Sequence, residues 1–215
     1  MASFRENVNF ADRLSRAGGH NVCFQANMNR EKRLPKITTD QAREHLADSS
    51  RALADLTANM VYDEPELFGV LMELALTGEK LYAQRASRVV EICSSRFPEL
   101  MKPYCSRVIR ELKNLKDEGA LRNLLKIIAE VPLRLSGREK SILVNLCFDY
   151  LVSGKFPVSI RVYSMQILYN LSKEIPEIGD ELARILEDQL PDETPGYRSR
   201  ANKILGSRRR LQVEQ

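Results

Sequence analysis

The sequence contains no tryptophan and only two histidines, His20 and His45, which stand 25 residues apart. A metal centre needs several donors converging, so no metal ligands are expected, and the isolation of His45 argues against a catalytic role. The four cysteines, Cys23, Cys93, Cys105 and Cys147, form no Cys-x-x-Cys pair. Three of them fall on apolar helical faces, where a thiol behaves as a small hydrophobe, so they read as reduced, buried and cytoplasmic. No glycine-rich phosphate loop is present: Ser136-Gly137-Arg138-Glu139-Lys140-Ser141 has a single glycine and reads as a capped helix start. No Gly-x-Ser-x-Gly elbow occurs and no base accompanies any cysteine, which leaves nucleophilic hydrolysis without its machinery. No long uncharged apolar run exists to span a membrane, and no secretory signal is recognised. The expectation is a chain with no catalytic residues and no cofactor.

What is present is an ordinary balance, 43% apolar and 29% charged, with the charge unevenly placed. Residues 1–37 hold seven Lys or Arg (Arg5, Arg13, Arg16, Arg30, Lys32, Arg33, Lys36) against Glu6, Asp12 and Glu31, which accounts for the whole net charge of +4. The rest of the chain is neutral. Gly18-Gly19 and the lack of a sustained 3.6-residue period mark residues 1–37 as a flexible basic arm, able to touch nucleic acid, an acidic protein or a membrane surface. Met28 offers an alternative start to Met1. Glu6 and Asp12 weigh against a transit peptide.

From residue 38 the pattern is helical and repeats. Tyr82, Ala86, Val89, Val90, Cys93 and Phe97 form the stripe of one buried helical face, and Pro98 ends it. Leu100, Met101, Tyr104, Cys105, Val108, Ile109 and Leu112 form a second stripe, so each helix must pack on a neighbour. Shifting the first stripe by 78 residues gives Ile160, Ser164, Ile167, Leu168, Leu171 and Ile175, again followed by proline. A third copy, Ala120, Leu124, Ile127 and Val131, ends at Pro132 and leads into Ile142 to Leu151. The three prolines 98, 132 and 176 lie 34 and 44 residues apart, near the period of helical-pair arrays.

With Arg85 and Arg161 in the first helices and the turns Phe97-Pro98-Glu99-Leu100 and Ile175-Pro176-Glu177-Ile178, residues 60–206 resemble the HEAT-repeat family of α-solenoids. The resemblance implies an all-α fold, a right-handed α-solenoid of about four antiparallel helical pairs over residues 38–206. It also implies a scaffold that binds a protein or peptide on its concave face.

In chain order, Thr38 and Gln41 have capping-box form, and one helical face runs on through Leu46, Ser49, Ser50, Leu53, Leu56 and Met60. Asp63-Glu64-Pro65-Glu66 starts the next helix. Helices are expected near 79–96, 98–116 (with Pro103 moving its start to about residue 103), 118–131, 138–153, 157–174 and 176–190. A last short helix, Tyr197 to Leu205, is expected to end at Gly206 and leave a basic tail over residues 207–215.

The helix over 98–116 carries Lys102, Arg107, Arg110, Lys113 and Lys116 against Glu99 and Glu111. Lys102, Arg107, Arg110 and Lys113 are the candidate partner-binding residues, docking an acidic peptide or protein segment. Two alternatives stand beside this non-enzymatic reading. Arg85, Arg88, Arg107, Arg110, Arg122 and Lys126 could neutralise phosphates, as in a nucleic-acid-binding or DNA-alkylation-repair-like HEAT protein, although such glycosylases rely on aromatic side chains and this chain has no tryptophan. A helical lyase of the adenylosuccinate lyase type lacks here its Ser-rich signature loop.

Overall fold

A computed structural model of the chain describes residues 37–213. Apart from Ile37, the basic arm lies outside the described residues, as do Met28, His20 and Cys23. Every regular element among the described residues is helical.

The first expected helix is in fact two. Thr38 and Gln41 close the capping box of α1 (Thr39–Glu44), but the chain then breaks at Asp48-Ser49-Ser50. There the Ser50 hydroxyl accepts the Leu53 amide and starts α2 (Arg51–Asp63). Ser50 is therefore a cap and not a position on a buried face, and Leu56 is 58% exposed. α3 (Glu66–Thr77) follows Pro65, and α4 (Lys80–Arg96) stops at Phe97-Pro98 as the sequence requires.

The next segment is a composite: a 3-10 turn over Pro98–Tyr104, α5 (Cys105–Glu111), and a second 3-10 turn over Leu112–Asn114. Pro98 and Pro103 both lack an amide proton, so a regular α-ladder cannot form until Pro103 is passed.

Asp117 caps α6 (Glu118–Glu130), accepting the Ala120 amide at 2.7 Å. A full capping box from Ser136 and Glu139 opens α7 (Gly137–Val152). Ser136→Ala should cost about 1 kcal/mol of stability, measured by urea unfolding, because it exposes an orphan amide of the first turn. α8 (Val158–Ser172) and α9 (Pro176–Gln189) follow. The last helix, α10 (Pro195–Val213), does not stop at Gly206. It continues for another two turns, with Ile204 and Leu205 buried just ahead of the glycine.

The even-numbered helices α2, α4, α6, α8 and α10 pack each against the next, and the odd-numbered ones form the other layer. α3 rests on α4, and α7 and α9 rest on α8. This is an α-solenoid, two layers around one apolar seam that runs from Ala42 to Leu205 without interruption. The repeat read from the sequence is the core of this seam: Ala86, Val90, Leu124, Ile160, Ser164 and Leu168 are all at 0% exposure, one set per copy. Ile175, at the end of the third stripe, is exposed at 37%. No helix among the described residues is long and apolar enough to cross a membrane.

Candidate binding surfaces

The repeat also dictates where polar side chains meet. A residue on one helix faces the helix one repeat away, so hydrogen bonds link positions about 34 to 41 residues apart. On the odd layer, Arg107 forms a two-pronged ion pair with Glu73 of α3, with one arm at 2.8 Å. That bond holds the Glu73 carboxyl below its ordinary range and raises the Arg107 guanidinium. Ser106 donates to Glu139 of α7, and Lys140 pairs with Glu174 at 2.5 Å.

On the even layer, Arg96 bonds Asn59 and Asp55 at 2.8 and 2.9 Å. Asn123 donates to Ser87 at 3.0 Å, Lys126 to Glu91 at 2.7 Å, Asn170 to the Ala129 carbonyl at 2.8 Å, and Arg200 to Gln166 at 2.7 Å. Each layer therefore has its own ladder of polar rungs.

The four residues singled out from the sequence all lie on the odd layer, in the Pro98–Tyr104 turn, in α5 and in the Leu112–Asn114 turn. Arg107 is half-buried and spent on Glu73, while Lys102, Arg110 and Lys113 are exposed. No ion pair holds any of these three among the described residues. Arg110 and Lys113 stand three residues apart, about one turn, at the end of α5 and in the turn that follows it, and Lys102 precedes them in the Pro98–Tyr104 turn. The nearby Glu111 carboxylate accepts from Asn114.

The set that was to neutralise phosphates is divided between layers. Arg85 spends its guanidinium on the Leu46 and Ala47 carbonyls at 2.8 and 2.7 Å. Arg107 and Arg110 are on the odd layer, and Arg88, Arg122 and Lys126 are on the even one. These six do not line one face.

The even layer holds a feature that the sequence did not single out. Arg51, Arg88, Glu91, Ile92, Ser95, Arg96 and Lys126 surround a cleft of about 170 Å³ across α2, α4 and α6. Glu91 lies at its base with a side chain only 7% exposed. Burial pulls the Lys126 ammonium down, but its bond to Glu91 and the charges of Glu91 and Glu130 outweigh that and raise it. The only signal in the sequence is that Arg51, Arg88 and Lys126 recur at intervals of 37 and 38 residues.

The described cysteines are free and buried. Burial pushes the Cys93 and Cys147 thiols up to about 12 and the Cys105 thiol to about 11. They serve as core atoms and not as nucleophiles. Among the described residues no three His, Cys, Asp or Glu side chains gather in a way that could hold a metal ion.

A family model described as a HEAT repeat domain matches residues 43–208. No curated protein and no solved structure matches the chain.

Proposed function

The chain belongs to the HEAT-repeat family, and from that premise we propose that its solenoid, residues 38–206, is a non-enzymatic scaffold docking an acidic peptide or protein segment on the odd layer. The observation that carries this reading is the exposed trio Lys102, Arg110 and Lys113, none of which is hydrogen-bonded or ion-paired to a carboxylate among the described residues, although Glu139 is near enough to feel the Arg110 charge. Arg107 supports the patch from below: its pair with Glu73 ties α5 to α3 and adds little net charge. A carboxylate-rich segment lying along the trio would gain charge complementarity with groups that need not first release an internal partner. We place the protein in the cytoplasm, a reading supported by three free thiols in its described core.

The test is fluorescence polarisation with a labelled polyglutamate peptide and, in parallel, a labelled single-stranded oligonucleotide. The triple variant Lys102→Glu, Arg110→Glu, Lys113→Glu should lose at least about tenfold in peptide affinity, a charge-assisted contact being worth about 1.5–3 kcal/mol. Arg107 is left in place because Arg107→Glu would set two carboxylates against each other at Glu73. Undiminished peptide binding by the triple variant would refute the assignment. A clear preference for the oligonucleotide, falling steeply with salt, would favour nucleic acid instead.

A further inference from the structure

We propose that the even-layer cleft is an oxyanion site, taking a single phosphate or carboxylate group between α2, α4 and α6. It lies on the opposite layer from Lys102, Arg110 and Lys113 and does not rest on the reading given to them.

The first argument is which donors are already used. Asp55 accepts Arg51 Nε at 2.7 Å on one oxygen and Arg96 Nη2 at 2.9 Å on the other, so its acceptors are committed to holding those guanidiniums in place. Glu91 Oε1 accepts Lys126 Nζ at 2.7 Å. Arg88 reaches only Glu91 Oε2, at 3.9 Å, beyond hydrogen-bond range. All of its N–H donors, the terminal nitrogens of Arg51 and the Ser95 hydroxyl therefore meet no acceptor among the described residues. Two guanidiniums with open edges are the fork geometry that binds carboxylate and phosphate oxygens two at a time.

Charge is the second argument. Four cations and one carboxylate, Glu91, line the cleft; Asp55, bonded to Arg51 and Arg96, and Glu130, 3.9 Å from Lys126, bring the carboxylates to three, so the cations still outnumber them. Size is the third. A cleft of about 170 Å³ is smaller than a typical organic-ligand pocket, yet holds several times the roughly 30 Å³ share of one water, enough for an oxyanion and its residual hydration.

The experiment is calorimetric titration of the full-length chain at constant ionic strength. Inorganic phosphate is one probe. A polyglutamate peptide is the other, added to the Lys102→Glu, Arg110→Glu, Lys113→Glu variant so that the odd-layer trio contributes nothing. The diagnostic change is Arg51→Gln with Arg88→Gln, chosen because Asp55 keeps Arg96 and Glu91 keeps Lys126, so neither carboxylate is orphaned and the melting temperature should hold. Saturable binding of either probe that weakens at least about tenfold in this double variant supports the site, and the probe that binds identifies the source of the oxyanion. No saturable binding of either, or binding that the double variant leaves intact, overturns it.

Discussion

Replacing Arg161 by methionine should lower the stability of the folded array by about 3–5 kcal/mol, the range found when one partner of a buried ion pair is removed. At about 2–4 °C per kcal/mol for a domain of this size, the melting temperature should fall by about 10 °C. Arg161 is 8% exposed and joins four segments at once. Its Nε donates to the Leu151 carbonyl at the end of α7 at 3.2 Å, and its Nη2 to Gln189 of α9 at 3.1 Å. The same nitrogen pairs at 2.5 Å with Glu193, in the link to α10, and the guanidinium lies 4.6 Å from the centre of the Tyr197 ring.

Methionine can fill the space of the stem, but it leaves Glu193 without a partner at 14% side-chain exposure and a carbonyl unsatisfied. Lysine would not substitute, since one ammonium cannot span these directions. Adding Glu193→Gln to Arg161→Met should recover part of the loss, because the orphaned charge is then gone. A fall below about 1 kcal/mol in Arg161→Met would mean that water already solvates the junction and that apolar contacts alone hold α10 in place.

The core was legible in the sequence because burial has a period. Val90, Leu124 and Leu168 could be placed inside from spacing alone, and all three are at 0% exposure. What spacing cannot separate is a serine on a helical face from a serine that starts a helix. Ser50 sits between Leu46 and Leu53, seven residues apart, and those two fit either one long helix or two short ones. The choice is made by the Ser50 hydroxyl, which satisfies the Leu53 amide.

Gly206 misleads for a related reason. Glycine costs about 1 kcal/mol in a helix interior, so it reads as a stop. The continuation to Val213 instead lies beside the acidic helix α9, where Asp180 pairs with Arg208 and Glu187 lies 3.5 Å from Arg209.

For the surface, the sequence reveals which residues are charged but not which charges are spent. Arg107 and Arg110 stand three residues apart and look alike, yet only Arg107 forms an ion pair, with a carboxylate that lies 34 residues earlier, while Arg110 acts on Glu139 through its charge alone. The cleft around Arg88 was hidden for the same reason. Its parts come from three helices, and the lateral offset between neighbouring repeats, which no local pattern encodes, decides that they converge.

Leu124→Ala should cost about 2–5 kcal/mol, as for other fully buried leucines, and the way this loss spreads depends on the linear build of the array. α6 lies between α4 and α8, and both neighbours close over Leu124 at 0% exposure. In a solenoid each helix pair is stabilised by the pairs beside it, so a central cavity weakens two interfaces and uncouples the halves. Leu205 in α10 is nearly as buried, at 5%, but α10 is the last described helix and has a neighbour on one side only. Leu205→Ala should therefore speed amide hydrogen exchange in α10 while α4, α6 and α8 keep their protection. Leu124→Ala should lower protection in all three of those helices together. If Leu205→Ala instead lowered protection evenly from α2 to α10, the array would be opening as one cooperative unit to its final helix. The Arg161 junction, which ties α10 to α7, α8 and α9, is the element in the structure strong enough to enforce such coupling.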